Sequence, residues 1–564
     1  MGNVSPSEAA SLMIPKREKL NFTTKIAYGA GDLGPAIAAN ILVFFLLPFF
    51  TNVAGLPAGL AGSILMIGKI SDAINDPIIG VMSDRTRSRW GRRLPWMLFG
   101  AVPFGAIYFL QWIVPRFSDS EGLNNWLLFA YYVLIGILFN LAYTAVSLPY
   151  QALTPELTQD YNERTNLNSF RFTFSIGGSI LSLILAGVIF SAYPDRPGKQ
   201  FQVLGLICAV LAVISILWCT LRIQERGAVP ILGNQQKKSL GTLVAFAGAV
   251  SGLYGILRLI PVSIPFTDTS GKVDLIGIVA IVLSLLITMF GITLLFSNPE
   301  PHLIDDDAAR ERSEANTAPS IPFSEQLRIV FSNKPFLYVI GIYLCSWLAV
   351  QLTASILVYF VVSWMGLKTS DSPLVALGVQ GTALGMLFFW KAVSERLGKK
   401  VVYFMGTAIW IVAQVGLFLL QPGQVGLMYV LAVMAGCGVS VAYLIPWSMV
   451  PDVIELDELR TGQRREGIFY GFMVLLQKFG LALGLFLVGI ALETAGFIKS
   501  VAGQPVPTQP DSALLAIRIA IGPLPAIVLI GGLVLASFYP ITREVHAEIR
   551  LKLQERRVNN QLVD

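Results

Sequence analysis

Histidine is almost absent from this chain: His302 and His546 are the two in 564 residues, and both fall in polar stretches. That scarcity removes a histidine metal cluster and an intramembrane histidine relay from consideration. Cysteine is nearly as rare. Its four copies, Cys208, Cys219, Cys345 and Cys437, all lie inside apolar runs without CxxC spacing, which leaves no framework for disulfide staples or a thiolate metal site. Charge is short too: Asp, Glu, Lys and Arg make up 13% of the chain, where a soluble domain carries about 25%. No paired Ser and His and no phosphate-cradling glycine loop points to catalysis, so the expectation is a protein that is not an enzyme and uses no cofactor. The N-terminal stretch carries Lys16, Arg17, Lys19 and Lys25 without the apolar core of a cleavable signal peptide, and Pro6 stands where a myristoylation pattern needs Ser or Thr.

Apolar residues fill the space instead, at 54% of the chain and a mean hydropathy of +0.66. At about 20 residues per span, the sequence predicts an all-α polytopic membrane protein. Its helices are expected near 26–51, 58–82, 94–114, 125–149, 168–191, 201–221, 240–261, 273–297, 336–363, 373–393, 401–420, 425–448, 467–494 and 513–538. Lys and Arg gather in the N-terminus, 83–93, 222–238, 394–400, 460–465 and 543–557, and alternate with poorer links at 52–57, 115–124, 364–372 and 421–424. The positive-inside rule then puts both termini in the cytoplasm of a plasma membrane, with a bacterial inner membrane the expected setting. The net charge of +6 belongs to those links and makes no case for nucleic acid; the surrounding partner is the lipid bilayer.

The predicted organisation is a tail (1–25), a six-helix bundle (26–222), a linker with two additional apolar helices (223–335), a second six-helix bundle (336–538) and a C-terminal tail (539–564), read as a monomer. The stretch 298–334 within that linker breaks hydropathy with Pro, Asp, Glu and Ser and is expected to be partly helical at most. The two bundles look like copies. Ser83-Asp84-Arg85 with Gly91-Arg92-Arg93 answers to Ser394-Glu395-Arg396 with Gly398-Lys399-Lys400, and AYTAVSLPYQALTPEL (142–157) answers to AYLIPWSMVPDVIE (442–455). Repeated six-helix units are how many secondary transporters are built, with the solute site near the midplane between them.

One span breaks the apolar pattern. Lys69, Asp72 and Asp76 lie within it, where each charge at bilayer centre costs roughly 2.5–3.5 kcal/mol on insertion scales. Spacings of three and four put them on one helical face, with Asn75 beside them. Two carboxylates one turn apart repel unless a cation sits between them or one takes a proton, which is the chemistry of a Na+ or H+ site. A plain Lys69–Asp72 ion pair is the competing reading, and it leaves Asp76 unexplained.

YGAGDLG (28–34), TNVAG (51–55), KISDAINDPIIGVMSDRTRSRWGRRLPW (69–96), LPYQALTPELTQDYNERTNLNSFR (148–171) and RREGIFYGFMVLLQKFG (464–480) together resemble the glycoside–pentoside–hexuronide:cation symporters, the melibiose-carrier-like branch of the major facilitator superfamily. The resemblance implies a two-bundle major facilitator fold and symport of a sugar or sugar-acid solute, a glycoside or hexuronide, driven by Na+, Li+ or H+. It implies a cation site at Asp72, Asn75, Asp76 and Thr144, a lysine near the acids at Lys478 and an arginine at Arg171. Na+ is favoured as the coupling ion, and no other metal is expected. The two acids that hold galactosyl hydroxyls in such carriers are replaced by Ala36 and Ser147, and Arg171 and Lys478 without those acids tilt the cavity toward a solute with negative charge. Asp32 either replaces the missing acid or caps the first span. Ser147, Gln151, Tyr150 and Trp447 are candidate solute contacts, with Tyr143 and Tyr470 as further aromatic candidates; aromatics near span ends also serve as interfacial anchors.

Asp84, Arg85, Arg92, Arg93, Glu395, Arg396 and Asp452 are read as gate residues, forming salt bridges between the halves at the cytoplasmic side, or as a solvated charged run. Arg518 is read as reaching toward external headgroups. A second function on the same fold is lysolipid transport, since animal relatives of that family move lysophospholipids and an apolar chain suits Ala36 and Ser147. A receptor or membrane-embedded enzyme that has lost transport is the rival from another class.

Overall fold

The computed structural model describes residues 19–158, 161–194, 196–225, 228–259, 275–296, 323–462, 466–499 and 507–561. Most of the linker at 298–334 and part of the basic link at 460–465 lie outside those residues. The long helices are α1 (Phe22–Asn52), α2 (Ala58–Arg85), α3 (Leu94–Leu110), α4 (Glu121–Gln151), α5 (Tyr161–Ala192), α6 (Pro197–Arg222), α7 (Asn234–Leu259) and α8 (Leu275–Leu295). A short α9 (Phe323–Ser332) precedes α10 (Lys334–Tyr359), α11 (Ser372–Leu397), α12 (Lys399–Leu419), α13 (Val425–Thr461), α14 (Glu466–Thr494), α15 (Asp511–Ile521), α16 (Pro523–Phe538) and α17 (Arg543–Gln561).

Every expected span is present, with informative changes of length. Among the described residues, twelve helices are long and apolar enough to cross a membrane. α2 is not among them because Lys69, Asp72, Asn75 and Asp76 interrupt its apolar run, and α3 is shorter than expected, ending at Leu110. α13 runs on to Thr461 through Pro446 and Pro451, so Asp452, beyond the expected end of the span, is helical. The last span is broken at Gly522, where Pro523 and Pro525 lack the donors that would continue α15 into α16.

α1–α6 form one bundle and α10–α16 the other. Both are packed around small residues: in α1, a Cβ at Gly34 would lie 2.6 Å from the Ala212 Cα of α6, and one at Gly29 would lie 2.9 Å from the Phe170 carbonyl of α5. The sequence repeat has a structural meaning. Gly91 and Gly398, which close the two matched turns, both take positive φ (103° and 87°), a conformation open to glycine. The inserted α7 and α8 pack on each other, and α8 leans on α1, α5 and α6 of the first bundle.

The bundles meet along α1 with α10, α2 with α14 and α5 with α11. Away from the middle of the seam, direct bonds between them lie toward the end that carries the short links after α1 and α10, here termed the short-link end. Thr51 and Tyr359 share a hydroxyl–hydroxyl bond of 2.7 Å, Lys499 Nζ lies 2.5 Å from Glu121 Oε1, and Gln380 Nε2 donates to Asn40 Oδ1 at 2.7 Å. The opposite, basic end carries the Lys- and Arg-rich turns.

Candidate functional site

α2 arrives at the middle of the seam with its polar face turned toward α4 and α14. Asp72 is 2% exposed, and Pro77, directly after Asp76, cannot donate to the Ala73 carbonyl, which loosens the helix beside the acids. Thr144, buried on α4, stands 3.0 Å from Oδ1 of Asp72 and 3.0 Å from Oδ1 of Asp76. One hydroxyl hydrogen cannot serve two carboxylates, so three oxygens crowd together with a single proton among them. On the other side of the acids, Lys478 of α14 places Nζ 3.0 Å from Asp72 Oδ2 and 2.5 Å from Asp76 Oδ2. The four groups thus bridge the halves, with Thr144 joining the Oδ1 atoms and Lys478 joining the Oδ2 atoms.

Of the cation-site residues expected from the sequence, Asp72, Asp76 and Thr144 come together with Lys478. Asn75 does not join them: its Nδ2 donates to Ser71 Oγ at 3.2 Å along its own helix. The competing Lys69–Asp72 pair exists, at 3.7 Å, but Lys69 also donates to Asn140 Oδ1 at 3.3 Å and holds Asp72 less closely than Lys478 does. Asn140 was missed in the sequence; its position four residues before Thr144, on the same face of α4, was the available signal.

Asp32 lies well inside α1 and does not cap it. It accepts from Arg171 Nε at 3.3 Å, within the first bundle, so each already has an opposite charge. The Arg171 guanidinium also lies over the Tyr150 ring, 5.9 Å from its centroid, and Tyr150 stacks on Tyr28 while its hydroxyl donates to the Tyr28 carbonyl at 2.7 Å. The arginine expected to meet an anionic solute is therefore engaged. Ser147 is buried on α4 and Gln151 is exposed at the end of that helix. Tyr143 packs against Phe104 and Phe139. In the second bundle Trp447 stacks on Tyr470 and meets Tyr343 edge-on, and Trp347 meets Tyr343 and Tyr443, forming an aromatic wall. Trp347 lies beside Gly480, two residues from Lys478, and its Nε1 has no partner among the described residues.

Of the residues read as a gate, Asp84, Arg92, Arg93 and Asp452 pair within their own bundles in this structure. Arg92 pairs with Glu156 at 2.5 Å and Arg93 with Asp84, all within the first bundle. Lys399 pairs with Asp452 at 2.7 Å within the second, where His546 of α17 also stands 3.3 Å from Asp452 and 2.8 Å from Glu455. Gly91-Arg92 with Pro155-Glu156 and Gly398-Lys399 with Pro451-Asp452 are the same intra-bundle tie made twice, which is what the repeated motifs encode. Arg85, Glu395 and Arg396 make no ion pair across the halves among the described residues. Glu225, unremarked in the sequence, accepts the backbone N–H groups of Arg92, Arg93 and Leu94, each at 2.7 Å, and burial pushes its carboxyl above the usual range despite those donors. Arg518 does not reach for headgroups: it donates to the Phe418 carbonyl at 2.7 Å and lies over the Trp364 ring.

The chain matches the family model described as MFS/sugar transport protein over residues 27–237 and 229–543. It is 61% identical over 549 residues to an uncharacterized symporter of Synechocystis, covering 97% of this chain and 99% of that one. It is 25% identical over 547 residues to sodium-dependent lysophosphatidylcholine symporter 1 of Gallus gallus, covering 96% and 90%. With a sphingosine-1-phosphate transporter of Xenopus tropicalis it shares 25% over 560 residues, covering 98% and 94%. Among solved structures, the nucleoside transporter NupG superposes with a TM-score of 0.53 at 12% identity, covering 92% of this chain and 99% of that one, a likeness of fold.

Proposed function

Since the chain belongs to the MFS/sugar transport protein family, we propose that it is a cation-coupled symporter working by alternating access. Asp72, Asp76 and Thr144 hold the driving cation, and Lys478 transmits its arrival to the solute. The observation that carries this reading is the shared seat: the ammonium of Lys478 bridges the same two carboxylates that a Na+ would bridge. A Na+ entering there takes over the neutralising role and releases Lys478, and a free ammonium between the bundles then attracts a negative group on the solute. Each ligand thereby raises the affinity for the other. A proton on Asp76 would loosen the lysine by the same logic; Na+ remains the favoured ion.

For the solute, the geometry favours an amphiphile with a phosphate-bearing head and one apolar chain, the lysolipid class. The positions where sugar-binding acids are expected hold Ala36 and Ser147, Asp32 is taken by Arg171, and the second bundle offers an aromatic wall. The lysophosphatidylcholine and sphingosine-1-phosphate carriers among the relatives lend support. A glycoside or hexuronide is the second reading, favoured by the ring-stacking faces of Trp447 and Tyr470 and by the family's description. The basic end and both termini would face the cytoplasm of the plasma membrane.

The test is uptake into proteoliposomes of labelled lysophosphatidylcholine and a labelled uronide under an imposed Na+ gradient. Gradient-driven uptake is expected for wild type and lost in Asp72→Asn and Asp76→Asn, both still inserted. Undiminished coupling in both variants refutes the cation site, and uronide uptake without lysolipid uptake transfers the solute to the second reading.

A further inference from the structure

α14 grips α2 at two places of opposite sign. Near the middle, its Lys478 holds the α2 acids. At the short-link end, the Glu493 carboxylate accepts the backbone N–H of Gly59, in the first turn of α2. The first N–H groups of a helix have no partner within it and carry the positive end of its dipole. Pro57, at the N-cap, supplies no side-chain bond, so the cap of α2 comes from the opposite bundle. Gly59 is built for this contact: a Cβ there would overlap the Glu493 carboxylate. Between the grips, Gly62 and Gly489 let the backbones touch, since a Cβ at Gly62 would lie 3.2 Å from the Gly489 Cα.

The two helices run antiparallel, and the grips are in register. Residues 478 and 493 are separated by about 22 Å along α14, while the span from Gly59 to Asp72 and Asp76 is about 20–26 Å along α2, at 1.5 Å per residue. With both grips engaged the pair is held at two points in one register.

We propose that Glu493 is the pin of the short-link barrier, a positioning residue that caps α2 from the other half and keeps this end shut while Lys478 holds the acids. Loading a cation frees Lys478 and turns a two-point hold into a one-point hold, after which Glu493 and its neighbours alone resist opening of the barrier. This inference rests on the symport reading for its purpose, but its test needs no solute.

The experiment is hydrogen–deuterium exchange with mass spectrometry on the purified full chain, with and without Na+. Glu493→Ala is expected to raise exchange several-fold across 51–62 and 486–499 and to lower it at the basic-end turns 83–95 and 396–400, as the molecule tips toward the opposite state. Na+ should then add little further exchange at the short-link end. Gly59→Ala, which evicts the carboxylate without removing it, should give the same pattern, and Glu493→Gln, which keeps an acceptor, an intermediate one. Either variant carries the test if Glu493→Ala does not fold. Faster exchange confined to 58–61, or none, overturns the pin and leaves a local cap. A chain that moves no solute yet gives the full pattern sinks the symport reading and leaves the pin standing.

Discussion

Replacing Lys478 with methionine should make the protein bind its cation more tightly while destroying transport. At an effective dielectric of about 20, an ammonium 2.5–3.0 Å from each of two carboxylates interacts with each by about 5–7 kcal/mol. Desolvation of the three groups offsets most of this, and truncating one member of such a buried pair costs roughly 2–5 kcal/mol. Asp76 and Lys478 keep 25% and 18% exposure, so the lower figure applies. In the wild type a Na+ must overcome that hold before it can enter. In Lys478→Met the obstacle is gone, and about 2 kcal/mol corresponds to about thirtyfold tighter binding. Isothermal titration calorimetry of the purified variants reads the affinity directly. A thermal melt should show Lys478→Met less stable than wild type without the cation and rescued by it, since a ligand that binds the folded state raises its stability. Gradient-driven uptake should disappear, because no ammonium remains to meet the solute. Unchanged or weaker cation binding in this variant would refute the shared seat.

Two further outcomes test the packing around the site. Asp32→Leu and Arg171→Met should each lower the apparent melting temperature, by about 2–4 kcal/mol of stability, while the double variant recovers most of the loss because no unpaired charge stays buried; a double variant no better than the singles would mean that the two act separately, as solute contacts would. Gly438→Ala forces a Cβ against Trp410 and to within 2.8 Å of the Gly406 carbonyl, for a cost of about 1–3 kcal/mol. Gly426→Ala, with nothing within 4 Å, should be neutral or slightly stabilising on the same helix. Expression yield and melting temperature separate the two.

The spans were readable because an apolar run of membrane length has few alternatives, and the acids of α2 announced themselves by their cost in such a run. Asp72, Asp76, Thr144 and Lys478 do come together, which residue type and resemblance indicated. Partnership was harder to read than position. A charge in a sequence does not say which of several opposite charges will claim it, so Arg171 was assigned to a solute when Asp32 holds it. Asp84, Arg92, Arg93 and Asp452 were likewise assigned across the halves when they tie each bundle to itself. Glu493 and Glu225 escaped notice because their partners are backbone N–H groups, which carry no mark in the letters of a sequence. The break at Gly522, by contrast, was legible in Pro523 and Pro525 and was passed over because the hydropathy continues through it.

The added hairpin of α7 and α8 leans on the first bundle through α8. A molecule so assembled is lopsided in its footprint, with the α7–α8 pair added to one flank and no counterpart on the other among the described residues. In a viscous bilayer the broader flank tilts with greater drag. Any rocking about the seam should then be seen from the membrane as the lighter flank swinging beside a steadier keel.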